Sequence, residues 1–86
     1  MTKYLNKLTG VAVDELQRAK RAAGLSNIQV AGALGLNRQT VGTRFQNKNM
    51  TLDEFIKTAM LSDERPSDIL KRAEVHATLA SQEGEK

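Results

Sequence analysis

The strongest constraint in this chain is a glycine with helical patterning on both sides of it. Over 27–46 the sequence reads NIQVAGALGLNRQTVGTRFQ. Val30, Ala31 and Leu34 recur at i, i+1 and i+4, the stripe of a helix with one apolar face. Ser26 stands just before that stripe, where its hydroxyl can accept a hydrogen bond from a free backbone N–H. Gly35 then supplies a residue that turns left-handed without a Cβ clash and so ends the helix. Leu36 is an apolar anchor in the turn. Asn37 can cap a second helix, and Val41 and Phe45 give that helix a buried face at i, i+4.

The angle between these two helices depends on Ala31. Helices that cross steeply must approach closely at one point, and a larger side chain there would force them apart. A small residue, a glycine four positions later and an apolar residue ten positions after the first (Ala31, Gly35, Val41) form the helix-turn-helix pattern. Each part is common alone. The full set within one short window of a basic chain is much more specific.

Length and composition bound the rest. With 86 residues the chain has room for one small domain and one core. It has no cysteine, so it carries no disulfide, no thiolate metal site and no cysteine nucleophile, which fits a reducing cytoplasm. A single histidine argues against a histidine-based metal site. No apolar run reaches the length of a membrane span and no signal peptide is recognisable. One proline and few aromatics favour an all-α domain, a compact bundle of about five helices. The net charge of +3 is unevenly spread: 1–62 hold nine Lys/Arg against four Asp/Glu, whereas 63–86 hold four against six. A positive half that contains the helix pair is what a phosphate-facing surface requires, although an ordinary solvated surface gives the same count.

The chain divides into a leader (1–11), the helix-turn-helix domain (12–73) and a C-terminal helix extension with a disordered tail (74–86). In the leader, Tyr4, Leu5 and Leu8 allow a helical turn that Thr9–Gly10 interrupts. A basic arm bearing Lys3 and Lys7, a subunit-pairing segment and a frayed end are all open there. A helix over 13–23 follows, with Leu16, Ala19 and Ala23 inward and Gly24 as its stop. After 46 comes a polar loop, QNKNM, in which Asn47 can take the left-handed conformation. Thr51 and Glu54 form a capping box, opening a helix with Leu52, Phe55, Ile56 and Ala59 as its stripe and Met60 also in the core. A charged turn precedes a last helix from near Ser67, in which Ile69, Leu70 and Ala73 close the core. Ala77, Leu79 and Ala80 extend it, His76 is a surface residue, and the closing SQEGEK is polar enough to lack structure.

Taken together, Gly24-Leu25-Ser26, Ala31, Gly35-Leu36-Asn37-Arg38-Gln39-Thr40-Val41 and Thr51-Leu52-Asp53-Glu54 resemble the helix-turn-helix domain of the Cro and lambda-repressor type. The wording is especially similar to that of small phage or actinobacterial transcriptional regulators. The resemblance covers 12–72. It implies a lambda repressor-like DNA-binding domain that acts as a homodimer on an operator in double-stranded DNA. It also implies that Asn27, standing where relatives often have glutamine, holds a backbone phosphate. The helix beginning at Arg38 is then the recognition helix. Arginine pairs bidentately with guanine and glutamine with adenine, so Arg38 and Gln39 are candidates to read base edges, with Thr43 beside them. Asn37, Thr40, Arg44 and Lys48 are candidates for phosphates, which position the helix without carrying sequence information. Gly42, inside this helix, costs about 1 kcal/mol relative to alanine; close approach to DNA and simple tolerance both explain it.

The function expected is that of a sequence-specific transcriptional regulator, a phage or prophage repressor or Cro-like protein, in the cytoplasm of a bacterial host. The alternative is an antitoxin-like module that also binds DNA and meets a protein partner through its C-terminal segment. An enzyme is not expected: there is no nucleophile–base set, no phosphate-cradling glycine loop, no metal cluster and no sign of a cofactor.

Overall fold

The computed structural model describes the backbone of residues 2–84 and the side chains of residues 7–79. Among the described residues there are five α-helices and no strand: α1 (Thr2–Ala22), α2 (Asn27–Leu34), α3 (Arg38–Gln46), α4 (Leu52–Leu61) and α5 (Pro66–Gly84). None is long and apolar enough to cross a membrane.

The helix boundaries follow from local chemistry. Ser26 Oγ accepts from Gln29 N at 3.2 Å while Gln29 Oε1 accepts from Ser26 N at 2.8 Å, so two otherwise orphaned donors are satisfied reciprocally. Thr51 and Glu54 do the same for α4, at 3.1 and 2.8 Å. Asn37 Oδ1 accepts from Thr40 N at 2.7 Å and starts α3. At the other ends the chain turns left-handed at Gly24, Gly35, Lys48 and Asp63. The residue after each returns its N–H to a carbonyl in the preceding helix: Leu25 to Lys20, Leu36 to Ala31, Asn49 to Arg44, Glu64 to Ala59. The first four helices thus stop by one shared motif, which satisfies carbonyls that would otherwise be unpaired.

The core joins all five helices. It contains Val13, Leu16 and Ala19 of α1, Val30 and Ala31 of α2, Val41 and Phe45 of α3, Phe55 and Ala59 of α4, and Ile69 and Ala73 of α5. Ala31 is buried, and α2 packs against α3. The most extensive interface is that of α1 with α5.

Several elements differ from the sequence expectation. The helix of α1 runs unbroken through Thr9–Gly10. Leu8 and Val11 pack against the core on either side, and Gly10 lies under the aliphatic stem of Lys48, so tertiary contact outweighs the helix-breaking tendency of one glycine. Ala23 is exposed just past the end of α1. Leu52 and Met60 stand in solvent, because the inward face of α4 is taken by Glu54, Phe55, Thr58 and Ala59. Leu70 is exposed for the same reason, with Ile69 and Ala73 inward. The left-handed residue after α3 is Lys48 rather than Asn47, since Asn47, the C-cap, still donates its N–H to Thr43 O and keeps a right-handed φ. The last helix starts at Pro66, a residue whose fixed φ suits a first helical position. It continues to Gly84, into the tail expected to lack structure, with Ala77 fully buried. The side chains of Lys3, Tyr4, Leu5 and Ala80, and residues Glu85 and Lys86, lie outside the described residues.

Candidate functional site

Two buried side chains fix how α3 is presented. Val41 and Phe45 turn into the core, and Asn37 holds the first turn from outside. With those three committed, Arg38, Gln39 and Thr43 are exposed. Among the described residues no carboxylate comes within ion-pairing distance of Arg38, and the side chains of Gln39 and Thr43 have no intramolecular hydrogen bond. All three base-reading candidates therefore lie on one short helix with their polar groups open to solvent.

The five phosphate candidates are placed differently. Asn37 is exposed, but its carbonyl oxygen is used as the cap; its amide N–H groups stay available. Thr40 is half-buried in the first turn. Asn27 is half-buried at the start of α2, with its side chain over Gly42 of α3: a Cβ built on Gly42 would sit 3.7 Å from Asn27 Nδ2. Its Oδ1 is buried and has no hydrogen-bond partner. The space at Gly42 is thus filled from within the molecule, and ordinary contact distance leaves room there for an alanine.

Arg44 and Lys48 both have carboxylate partners. Arg44 Nε donates to Glu54 at 3.1 Å, and Glu54 is buried. The same Glu54 Oε1 accepts from Thr51 N, so one carboxylate caps α4 and ties it to α3. The bond uses Nε, which leaves the two terminal nitrogens of Arg44 without a partner among the described residues. Lys48 lies back along α1 at Gly10, and its ammonium sits 3.2 Å from Asp14. Both ends of that pair are about half-exposed, so solvent and salt screen it.

Behind α3 lies a buried cation. Lys20 of α1 is almost fully enclosed, donates from Nζ to Leu25 O at 3.3 Å and stands 5.6 Å from the centre of the Phe45 ring. Burial, and secondarily repulsion from Arg21, lowers its pKa. The contact with the negative face of the ring offsets part of that burial and joins α1 to α3. On this placement Lys20 supports α3 and is not itself a surface contact.

A second charged group was not legible in the sequence. Glu15, buried in α1, has Arg18 Nη1 at 3.3 Å, Arg72 Nε at 3.5 Å and His76 Nδ1 at 2.6 Å. Arg72 also reaches Glu64 at 2.8 Å, and hydrogen bonding to Glu64 raises its pKa further. His76 is exposed, as expected, and its one partner among the described residues, Glu15, links α5 to α1. The sequence gives no signal for this, because Arg72 and His76 are far from Glu15 along the chain. Among the described residues no three His, Asp or Glu side chains are arranged to hold a metal ion. Comparison of the chain with family models, with curated proteins and with solved structures found no match.

Proposed function

We propose that the chain is a sequence-specific double-stranded-DNA-binding regulator of transcription, with α2, the turn at Gly35 and α3 acting as a helix-turn-helix. The observation that carries this reading is the exposed, unpaired trio Arg38, Gln39 and Thr43 on a helix whose other face is anchored in the core. Polar groups left unpaired on a rigid element are suited to a polar partner. The donor fork of Arg38 matches guanine O6 and N7, and the Gln39 amide matches adenine N6 and N7. A rigid helix of this width fits the major groove.

In this reading Asn27, Asn37 and Thr40 hold phosphates beside α3. Arg44 adds its terminal nitrogens while Glu54 keeps Nε, and Lys48 exchanges Asp14 for a phosphate. The exchange is favoured because the Lys48–Asp14 pair is solvent-exposed and weak. Two copies occupy half-sites about 34 Å apart, one helical turn of DNA. Occupying an operator that polymerase needs gives repression, as in a phage repressor or Cro-like protein.

The test is selection from random duplexes at low ionic strength, followed by titration of the recovered site against salt. A recovered consensus, with affinity that falls steeply as salt rises, supports the proposal. Recovery of no preferred sequence contradicts it.

A further inference from the structure

We infer that α4 is the self-association surface of this protein and that its partner is a second, antiparallel copy of α4. Leu52 is 70% exposed, Met60 66% and Leu61 41%, and the first two are the most exposed large apolar side chains among the described residues. Leu52, Ile56 and Met60 fall at i, i+4 and i+8, forming one of the ridges by which helices pack on each other. Beside the ridge, Asp53 and Lys57 form an exposed ion pair at 3.1 Å. At the far end an open groove of about 300 Å³ is lined by Ala33, Lys57, Met60 and Leu61. The α2 wall of that groove carries no charge, since NIQVAGAL has no ionisable residue.

The order of these features along α4 selects the partner. Reading forward, the face runs Leu52, Asp53, Ile56, Lys57, Met60. Turned end for end about a two-fold axis near Ile56, it becomes its own complement. Leu52 of one copy then lies beside Met60 of the other, at the mouth of the groove. Asp53 of each copy comes within reach of Lys57 of the other, so the two intrahelical pairs become a four-charge cluster of alternating sign. A two-fold interface of this kind presents the same patch from both subunits. A parallel two-fold copy would put the two Asp53–Lys57 rows on opposite sides of the ridge, where they do not meet, so only the antiparallel copy brings the charges together. The arrangement supplies the two copies that the DNA-binding reading calls for, but it involves no residue of α3 and is measured without DNA.

Sedimentation equilibrium of the full chain, without DNA, tests it. The wild type is expected to pass from monomer to dimer in the micromolar range. Met60→Lys is expected to weaken the dimer at least about tenfold. Asp53→Lys and Lys57→Asp are each expected to weaken it about tenfold, and the double variant Asp53→Lys/Lys57→Asp to restore it to within about threefold, because the swap re-forms the complementary pairs. Circular dichroism confirms that each variant is folded; should Asp53→Lys disturb the first turn of α4, Lys57→Asp and Met60→Lys carry the test. A wild type that stays monomeric overturns the inference. So does a folded double variant no tighter than the single ones, or a dimer that Val75→Lys on α5 dissociates while Met60→Lys does not. A monomer that still selects a DNA sequence would refute this interface and leave the reading of α3 standing, and a dimer that ignores DNA would do the reverse.

Discussion

The α1–α5 pair and the outer face of α3 use charge in opposite ways. Between α1 and α5, Glu15 is enclosed by Arg18, Arg72 and His76, and Arg72 is shared with Glu64. On α3, Arg38 has no carboxylate partner among the described residues, and Gln39 and Thr43 expose uncommitted side chains. Similar residue types therefore hold the fold together in one region and remain available in the other. The contrast separates polar side chains paired within the fold from polar side chains left open to solvent.

The largest expected effect lies on the stabilising side. Leu16 is fully buried where α1 meets the rest of the core, and Leu16→Ala should lower unfolding free energy by about 3 kcal/mol in urea titration. Glu15→Ala removes a buried acceptor from three basic side chains. Those partners are roughly half-exposed or more, so water recovers part of the loss, and a destabilisation of about 2 kcal/mol is expected rather than the full cost of breaking a buried pair. If Glu15→Ala were neutral, the division between the two regions would be wrong.

On the recognising side, Arg38→Ala should leave stability within about 0.5 kcal/mol of wild type, since its side chain holds nothing in place. Its effect should appear only in binding, as a loss of about 1–3 kcal/mol of discrimination at one base pair of the selected site. Lys48→Ala should act differently: binding to all sequences weakens alike, and the slope of log affinity against log salt falls by about one. An unchanged slope would show that Lys48 stays with Asp14. The smallest effect is expected at Asp63, which takes a left-handed φ of 59° without being glycine. Asp63→Gly should raise stability by about 0.5–1 kcal/mol through relief of that conformation.

What was legible in the sequence was local. Ser26, Asn37 and Thr51 as caps, Gly24 and Gly35 as stops, and Leu16, Val30, Ala31, Val41 and Phe45 as core are set by chemistry within a few residues, and the structure has them so. What failed was set by partners distant in sequence. Thr9–Gly10 reads as a break until Leu8 and Val11 are seen against the core and Lys48 over Gly10. Met60 reads as core because apolar spacing does not say which face of a short helix is already occupied. The exposure of Arg38, Gln39 and Thr43 followed from the positions of Val41 and Phe45. The engagement of Arg44 by Glu54 did not, because the Thr51–Glu54 spacing marks Glu54 only as part of a capping box.

The most direct measurement is the affinity of wild type and Arg38→Ala for the selected duplex and for each of its single base-pair substitutions, at one fixed salt concentration. The expected result is that Arg38→Ala remains folded, binds the selected duplex more weakly, and no longer distinguishes the bases at one position while keeping its preferences elsewhere. A variant that keeps the wild-type preference at every position, or a wild type that binds all the duplexes equally, would contradict a DNA-reading role for the exposed end of α3.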